Sequence, residues 1–177
     1  MDAKQSAHLS RLRHLREAFS SANEHIVGLL READNVTAEQ AQPGRWSAAQ
    51  VGWHVASVNT RFAALIAGDV PAAKPLPDEF VERPWQEIAA AMPEKLEAAA
   101  AAVPPAKVSR HDVIAALEAS AVKMARAFDT LTPERGGGIG VTNPVVGTIN
   151  LYQVGEWAAS HVSRHYDQAR RALGQDS

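Results

Sequence analysis

Two histidines four residues apart, His161 and His165, stand where the last amphipathic segment of the chain should bury apolar side chains. Its three-four alternation runs Leu151, Val154, Ala158, His161, His165, Gln168 and Ala172, so consecutive inward positions carry imidazole. A buried imidazole without a hydrogen-bond partner costs roughly 2–7 kcal/mol, so two of them need something to bind. One helical turn separates them, which puts their Cβ atoms about 5–6 Å apart. Both rings can then converge on one cation at nitrogen–metal distances of about 2.0–2.1 Å. On an earlier segment His54 falls three residues after Val51 and four before Val58, at the inward edge of a second apolar stripe. The expected metal ligands are therefore His54, His161 and His165. Three protein ligands with an open fourth position is the pattern of catalytic zinc sites, whereas structural sites close all four.

The other histidines are not expected to bind metal. His8 and His14 fall on the polar face of the first segment, His25 flanks its apolar stripe, and His111 sits in a first helical turn. The stretch His161-Val162-Ser163-Arg164-His165 lacks the Glu that supplies a general base in HExxH proteases. There is no pair of Glu-x-x-His motifs for a di-iron bundle, no GxGxxG, and no Lys-Ser/Thr after Gly136-Gly137-Gly138-Ile139-Gly140 for a phosphate loop. Helical phase points Glu156 and Asp167 away from the core, so no catalytic general base is assigned. Trp157 is a candidate pocket wall or a core-packing residue, and Arg61, two turns after His54, is a candidate anchor for a carboxylate or a stem lying over apolar surface with its head in water.

Four helices must position this chemistry, and the expected fold is all-α, a four-helix bundle in one domain spanning 1–177. The first helix is expected over 5–33, with Leu12, Leu15, Phe19, Ala22, Ile26, Leu29 and Ala33 on its buried face. The second follows Pro43-Gly44, with Ser47 and Gln50 as a capping box, the stripe Val51, Val55, Val58, Phe62 and Leu65, and Gly68 as its stop. The third starts near Ser109 and buries Ile114, Leu117, Ala121, Met124, Phe128 and Leu131 before Thr132-Pro133. The fourth opens at Asn150, where Gln153 completes a second box, and runs to about Leu173. A proline-rich connector, 69–108, joins the second and third helices, with short helices expected over 85–91 and 93–102. A crossover this long lets the third helix run parallel to the second. The 132–149 connection reads as a flexible loop over one end of the bundle.

Composition fits an ordinary globular domain: 177 residues, 46% apolar, 21% charged, net charge −2. No basic stripe is present, so no nucleic-acid partner is expected. The most apolar stretch is interrupted by His54, Asn59 and Arg61, so no membrane partner is expected either. With no cysteine, a metal must be held by imidazole or oxygen donors, and any thiol chemistry must use an external thiol. The charged N-terminus and the absence of cysteine set the cytoplasm as the expected location.

Beyond these patterns the chain resembles a known family. Pro43-Gly44-Arg45-Trp46-Ser47 leads into the helix with His54, Asn143-Pro144-Val145-Val146-Gly147 precedes the last helix, and His161 and His165 follow. In order and content these are similar to the DinB/YfiT-like superfamily of metalloenzymes. The resemblance implies up-down-down-up connectivity and a divalent metal on the three histidines, zinc or, as the alternative, nickel. It further implies a homodimer and a small-molecule substrate. Thiol-dependent S-transferases and a maleylpyruvate isomerase in that family use low-molecular-weight thiols, namely mycothiol, bacillithiol or glutathione. The expected function is thus a metal-dependent transferase, isomerase or hydrolase, with a non-catalytic metal- or ligand-binding bundle as the alternative. One departure is that relatives often carry His-Pro-x-x-Gly where this chain has Asn143-Pro144.

Overall fold

The structure, a computed structural model, describes residues 2–93 and 96–175. Helix α1, Ala3–Glu32, starts where Asp2 accepts from the amide of Gln5, and buries Leu15, Phe19, Ala22, Ile26 and Leu29 as the periodicity predicts. A short helix the sequence reading did not anticipate, α2 (Asn35–Glu39), is capped by Asp34. Helix α3, Ala48–Ala67, opens with the predicted Ser47/Gln50 capping box. It closes at Gly68, whose φ of 88° is the left-handed conformation a side chain resists.

The connector then crosses the molecule. Strand β1 (Lys74–Pro75) and helix α4 (Trp85–Ala90) lie within it, α4 matching the first of the two short helices expected there. The helix expected over 93–102 is instead a 3-10 turn, Ala100–Ala102, with 96–99 irregular; residues 94 and 95 lie outside the described residues. Pro104 and Pro105 follow after Val103, and a residue without an N–H cannot extend the ladder. Gln50 Nε2 pins this stretch by donating to the carbonyls of Pro105 (2.9 Å) and Ala106 (3.3 Å).

Helix α5, Arg110–Asp129, is capped by Ser109, and its buried face (Val113, Leu117, Ser120, Met124, Ala127, Phe128) is rotated slightly from the expected one. Ile114 and Ala121 are only half-buried there. The 132–149 segment is not a flexible loop. Thr132 caps helix α6 (Pro133–Gly138), and strands β2 (Ile139–Asn143) and β3 (Gly147–Asn150) form a hairpin. With β1 they make a three-stranded antiparallel sheet in the order β1-β2-β3, so the all-α expectation is corrected to a mostly helical fold with a small sheet. Lys74 stands opposite Gly140, and Val141 opposite Ile149. The hairpin turns where Asn143 Oδ1 accepts from the amide of Val145 (2.8 Å) and Gly147 takes a φ of 75°.

The last helix, α7 (Leu151–Ala172), starts with the second predicted capping box, Asn150 with Gln153. The long helices pack in a ring: α3 lies against α5 and α7, and α1 against α7 and α5. Phe128, Ile26, Leu30, Ile66, Leu117 and Met124 fill the space between them. No helix among the described residues is long and apolar enough to cross a membrane.

Candidate metal centre

The seam between α3 and α7 holds all three expected ligands. One nitrogen from each of His54, His161 and His165 lies within 4.8 Å of the others. Ring centroids are 5.2 Å apart for His54 and His161, 4.6 Å for His54 and His165, and 4.4 Å for His161 and His165. His54 is buried, while the two α7 histidines are half-buried and leave a way in from solvent.

Each ring is held differently. His54 Nδ1 donates to the carbonyl of Ala102 at 2.7 Å, because a carbonyl can only accept. Its tautomer is therefore fixed, with the Nε2 lone pair facing His161 Nε2 at 3.2 Å. The 3-10 turn is what delivers that carbonyl. His165 Nδ1 pairs with Gln168 Oε1 at 2.7 Å, one turn further along α7, which frees its Nε2 in the same manner. A second group that fixes tautomer and ring orientation is the usual backing of a metal-bound imidazole. His161 lies edge-on to Phe62, and its buried Nδ1 has no hydrogen-bond partner.

These features fit a divalent ion. Two nitrogens held at about 2.0–2.1 Å around a tetrahedral centre sit about 3.3–3.4 Å apart, close to the His54–His161 separation. Ligation needs neutral imidazole, and the surroundings enforce it. Burial first, then the charge of Arg61, lowers the pKa of His54. Burial, aided by the neighbouring histidines and Arg164, holds His161 well below its ordinary range. Burial first and then His54 bring His165 down to about 4, against the opposing bond to Gln168. The group therefore has the donors and protonation state that a divalent metal takes.

The elements around the site are firmly tied. Trp46, two residues before the start of α3, packs its ring 5.2 Å from that of His54. Trp157 packs against Phe62, the rings tilted and their centroids 5.1 Å apart, so the wall expected of it is a packed one. Trp85 Nε1 on α4 donates to Ser160 Oγ at 2.8 Å, the residue before His161. Arg61 is exposed on the rim.

One placement differs from expectation. His8 is not on a polar surface; it is buried, with Nδ1 paired to the Tyr152 hydroxyl at 2.6 Å. That hydroxyl comes from 144 positions downstream, so α1's own periodicity could not reveal it. Glu156 lies away from the cluster, as its helical phase implies; it meets Arg11 of α1 at 3.1 Å, and Arg11 also holds Glu82 of the connector at 2.5 Å. His14, His25 and His111 are exposed, His25 beside Tyr166 and His111 beside Asp112. None of these joins the cluster.

A mostly helical protein with a three-histidine cluster in its core is thus the class that fold and site define. A family model of the DinB superfamily matches residues 11–169, and the chain belongs to that superfamily. A conserved protein from Enterococcus faecalis, known from its crystal structure, is similar in fold, with a TM-score of 0.63 at 16% identity over 92% of this chain and 95% of that one. No curated protein matches the chain in sequence.

Proposed function

We propose that the chain is a metal-dependent enzyme acting on a small molecule, with one divalent cation held by His54, His161 and His165 and an open coordination position toward solvent. The observation that carries this is the convergence of three neutral imidazoles, two with their outer nitrogens already occupied by Ala102 and Gln168. Zinc suits an all-imidazole, cysteine-free site, and nickel is the alternative. When bound, such an ion lowers the pKa of a water or thiol in its open position, so that a nucleophile forms near neutral pH.

The residues present supply the rest. Ala102 and Gln168 orient two rings, Phe62 and Trp157 keep one side dry, and the half-buried flank of α7 admits the substrate. With no cysteine in the chain, thiol-dependent S-transfer or isomerisation would draw on an external low-molecular-weight thiol, and hydrolysis would use water. Membership of the DinB superfamily supports these reactions. The same proposal includes an up-down-down-up order of the four long helices, favoured by the long connector between the adjacent α3 and α5, a homodimer, and a cytoplasmic location. A non-catalytic metal- or ligand-binding role is the second reading, favoured by the lack of an acid–base group in contact with the cluster among the described residues.

The test uses protein purified without a tag or metal column. After incubation with zinc and desalting, about one metal per chain is expected. Less than roughly 0.3 overturns the metal site, since a preformed three-imidazole site fills readily. Replacing zinc by cobalt and adding small thiols separates the two readings. A thiol-dependent change in the visible spectrum marks an open position and supports the enzyme, and an inert, saturated spectrum supports the binding role.

A further inference from the structure

Among the described residues, the charged side chains that act on the three histidines are positive. Arg61 and Arg164 act on the rings through their charge, and no carboxylate does. The groups backing His54 and His165 are a carbonyl and a carboxamide, neither of which carries negative charge. Elsewhere in the molecule several basic side chains are matched: Lys4 with Glu134, Arg11 with Glu82 and Glu156, Arg16 with Asp129, Arg31 with Glu118. Arg110 and Arg135 spend their donors on the carbonyls that end α1 and α3. Arg164 makes one hydrogen bond, to the uncharged carbonyl of Pro93 at 3.2 Å. Arg61 makes no hydrogen bond or ion pair with any described residue.

Its position is not arbitrary. Seven residues, two turns, separate Arg61 from His54, so both project from one face of α3, about 10 Å apart along the axis. Side chains lean toward the helix N-terminus, which carries the long Arg61 stem back toward the cluster. A divalent ion on three neutral ligands would add two further positive charges that nothing nearby offsets. Resting on the metal site proposed above, we infer that the small molecule taken by this site is an organic anion. Its carboxylate docks on the Arg61 guanidinium, Arg164 adds a second attraction, and its reactive end faces the three histidines. A guanidinium presents the paired donors that a carboxylate accepts in fork geometry, which an ammonium does not. Arg61 is thereby a specificity-determining residue.

The experiment uses the cobalt-substituted full chain and reads affinity from the visible spectrum. The probes are 3-mercaptopropionate and 6-mercaptohexanoate, each against the neutral mercapto-alcohol of equal length. At low salt, at least one acid should bind roughly tenfold tighter than its alcohol. Arg61→Gln should bring that ratio close to one while cobalt content stays at the parent value, and Arg61→Lys should keep part of it. A ratio near one for both lengths in the parent, or one unchanged in Arg61→Gln, overturns the anion site. Failure to load cobalt at all would remove the metal site and this inference with it, a result distinct from a loaded site indifferent to charge.

Discussion

Helix α7 buries polar chemistry at two places, and it builds them in opposite ways. Near its start, Tyr152 pairs with His8, the Arg11 guanidinium lies 4.5 Å from the centre of the Tyr152 ring, and Glu156 and Glu82 neutralise that cation. Asn150 Nδ2 donates to Glu82 at 2.7 Å, so the network also ties the connector to the cap of α7. From its middle onward, His161 and His165 meet His54 with positive charges around them and one buried nitrogen unpartnered. Both regions bury imidazole, so burial alone separates nothing. The satisfied network, in which opposite charges meet, is scaffolding, holding α1, the connector and α7 in register. The one with only positive charge around it has the character of a binding site.

The sharpest way to break this contrast is to remove one histidine from each region. His161→Ala should cost at least about 100-fold in zinc affinity, because a tetrahedral site loses a protein ligand. His8→Ala should leave zinc stoichiometry at the parent value and instead lower unfolding stability by about 1–3 kcal/mol, through the stranded Tyr152 hydroxyl. Equal metal loss in the two variants, measured on desalted protein, would erase the distinction between scaffold and site.

A smaller effect is expected from Gly136→Ala. A Cβ there would lie 2.1 Å from the Tyr152 ring, and that ring is confined on other sides by Arg11 and His8. Displacing it should cost roughly 1–3 kcal/mol, as overpacking does. A urea titration should show the lower midpoint, with zinc content unchanged. An unchanged midpoint would mean the Tyr152 network is loose enough to move aside, and less of a scaffold than its contacts indicate.

How legible these regions were in the sequence follows the range of the interactions that make them. Both capping boxes are local, three residues long, and stand where the spacing puts them. The metal cluster needs only helical phase on two helices, and phase is a short-range property, so His54, His161 and His165 could be assembled on paper. The Tyr152 network joins residues 68 to 145 positions apart, and no periodicity carries that information. The hairpin in 132–149 was missed for a related reason. Its strands are four and five residues long and rich in glycine and threonine, and β2 finds its outer partner at Lys74 and Pro75. Asn143 was legible as a departure from the family pattern but not as what it is, an Asx turn that sets the hairpin's bend.

The finest test of the contrast is electrostatic. Glu156 is raised above its ordinary value: burial first, with the nearby Glu82, outweighs the attraction of Arg11, a guanidinium that two carboxylates share. A carboxyl raised in the fold binds its proton more tightly there than in the unfolded chain. Between the ordinary carboxylate range and the raised value the native state therefore holds the extra proton, and its stability falls as pH rises through that window. Asp34 and Glu134, both lowered by hydrogen bonds to Thr37 and Lys4, slope the other way, so only the difference between variant and parent is informative. Glu156→Gln keeps the shape and removes the charge. Relative to the parent it should gain stability as pH rises above the ordinary carboxylate range, with a difference at pH 7.5 of no more than about 1 kcal/mol and no change in zinc content. Parallel stability curves for the two proteins across that range would mean that Arg11 already compensates Glu156 fully, and the first region would be more completely balanced than its burial implies.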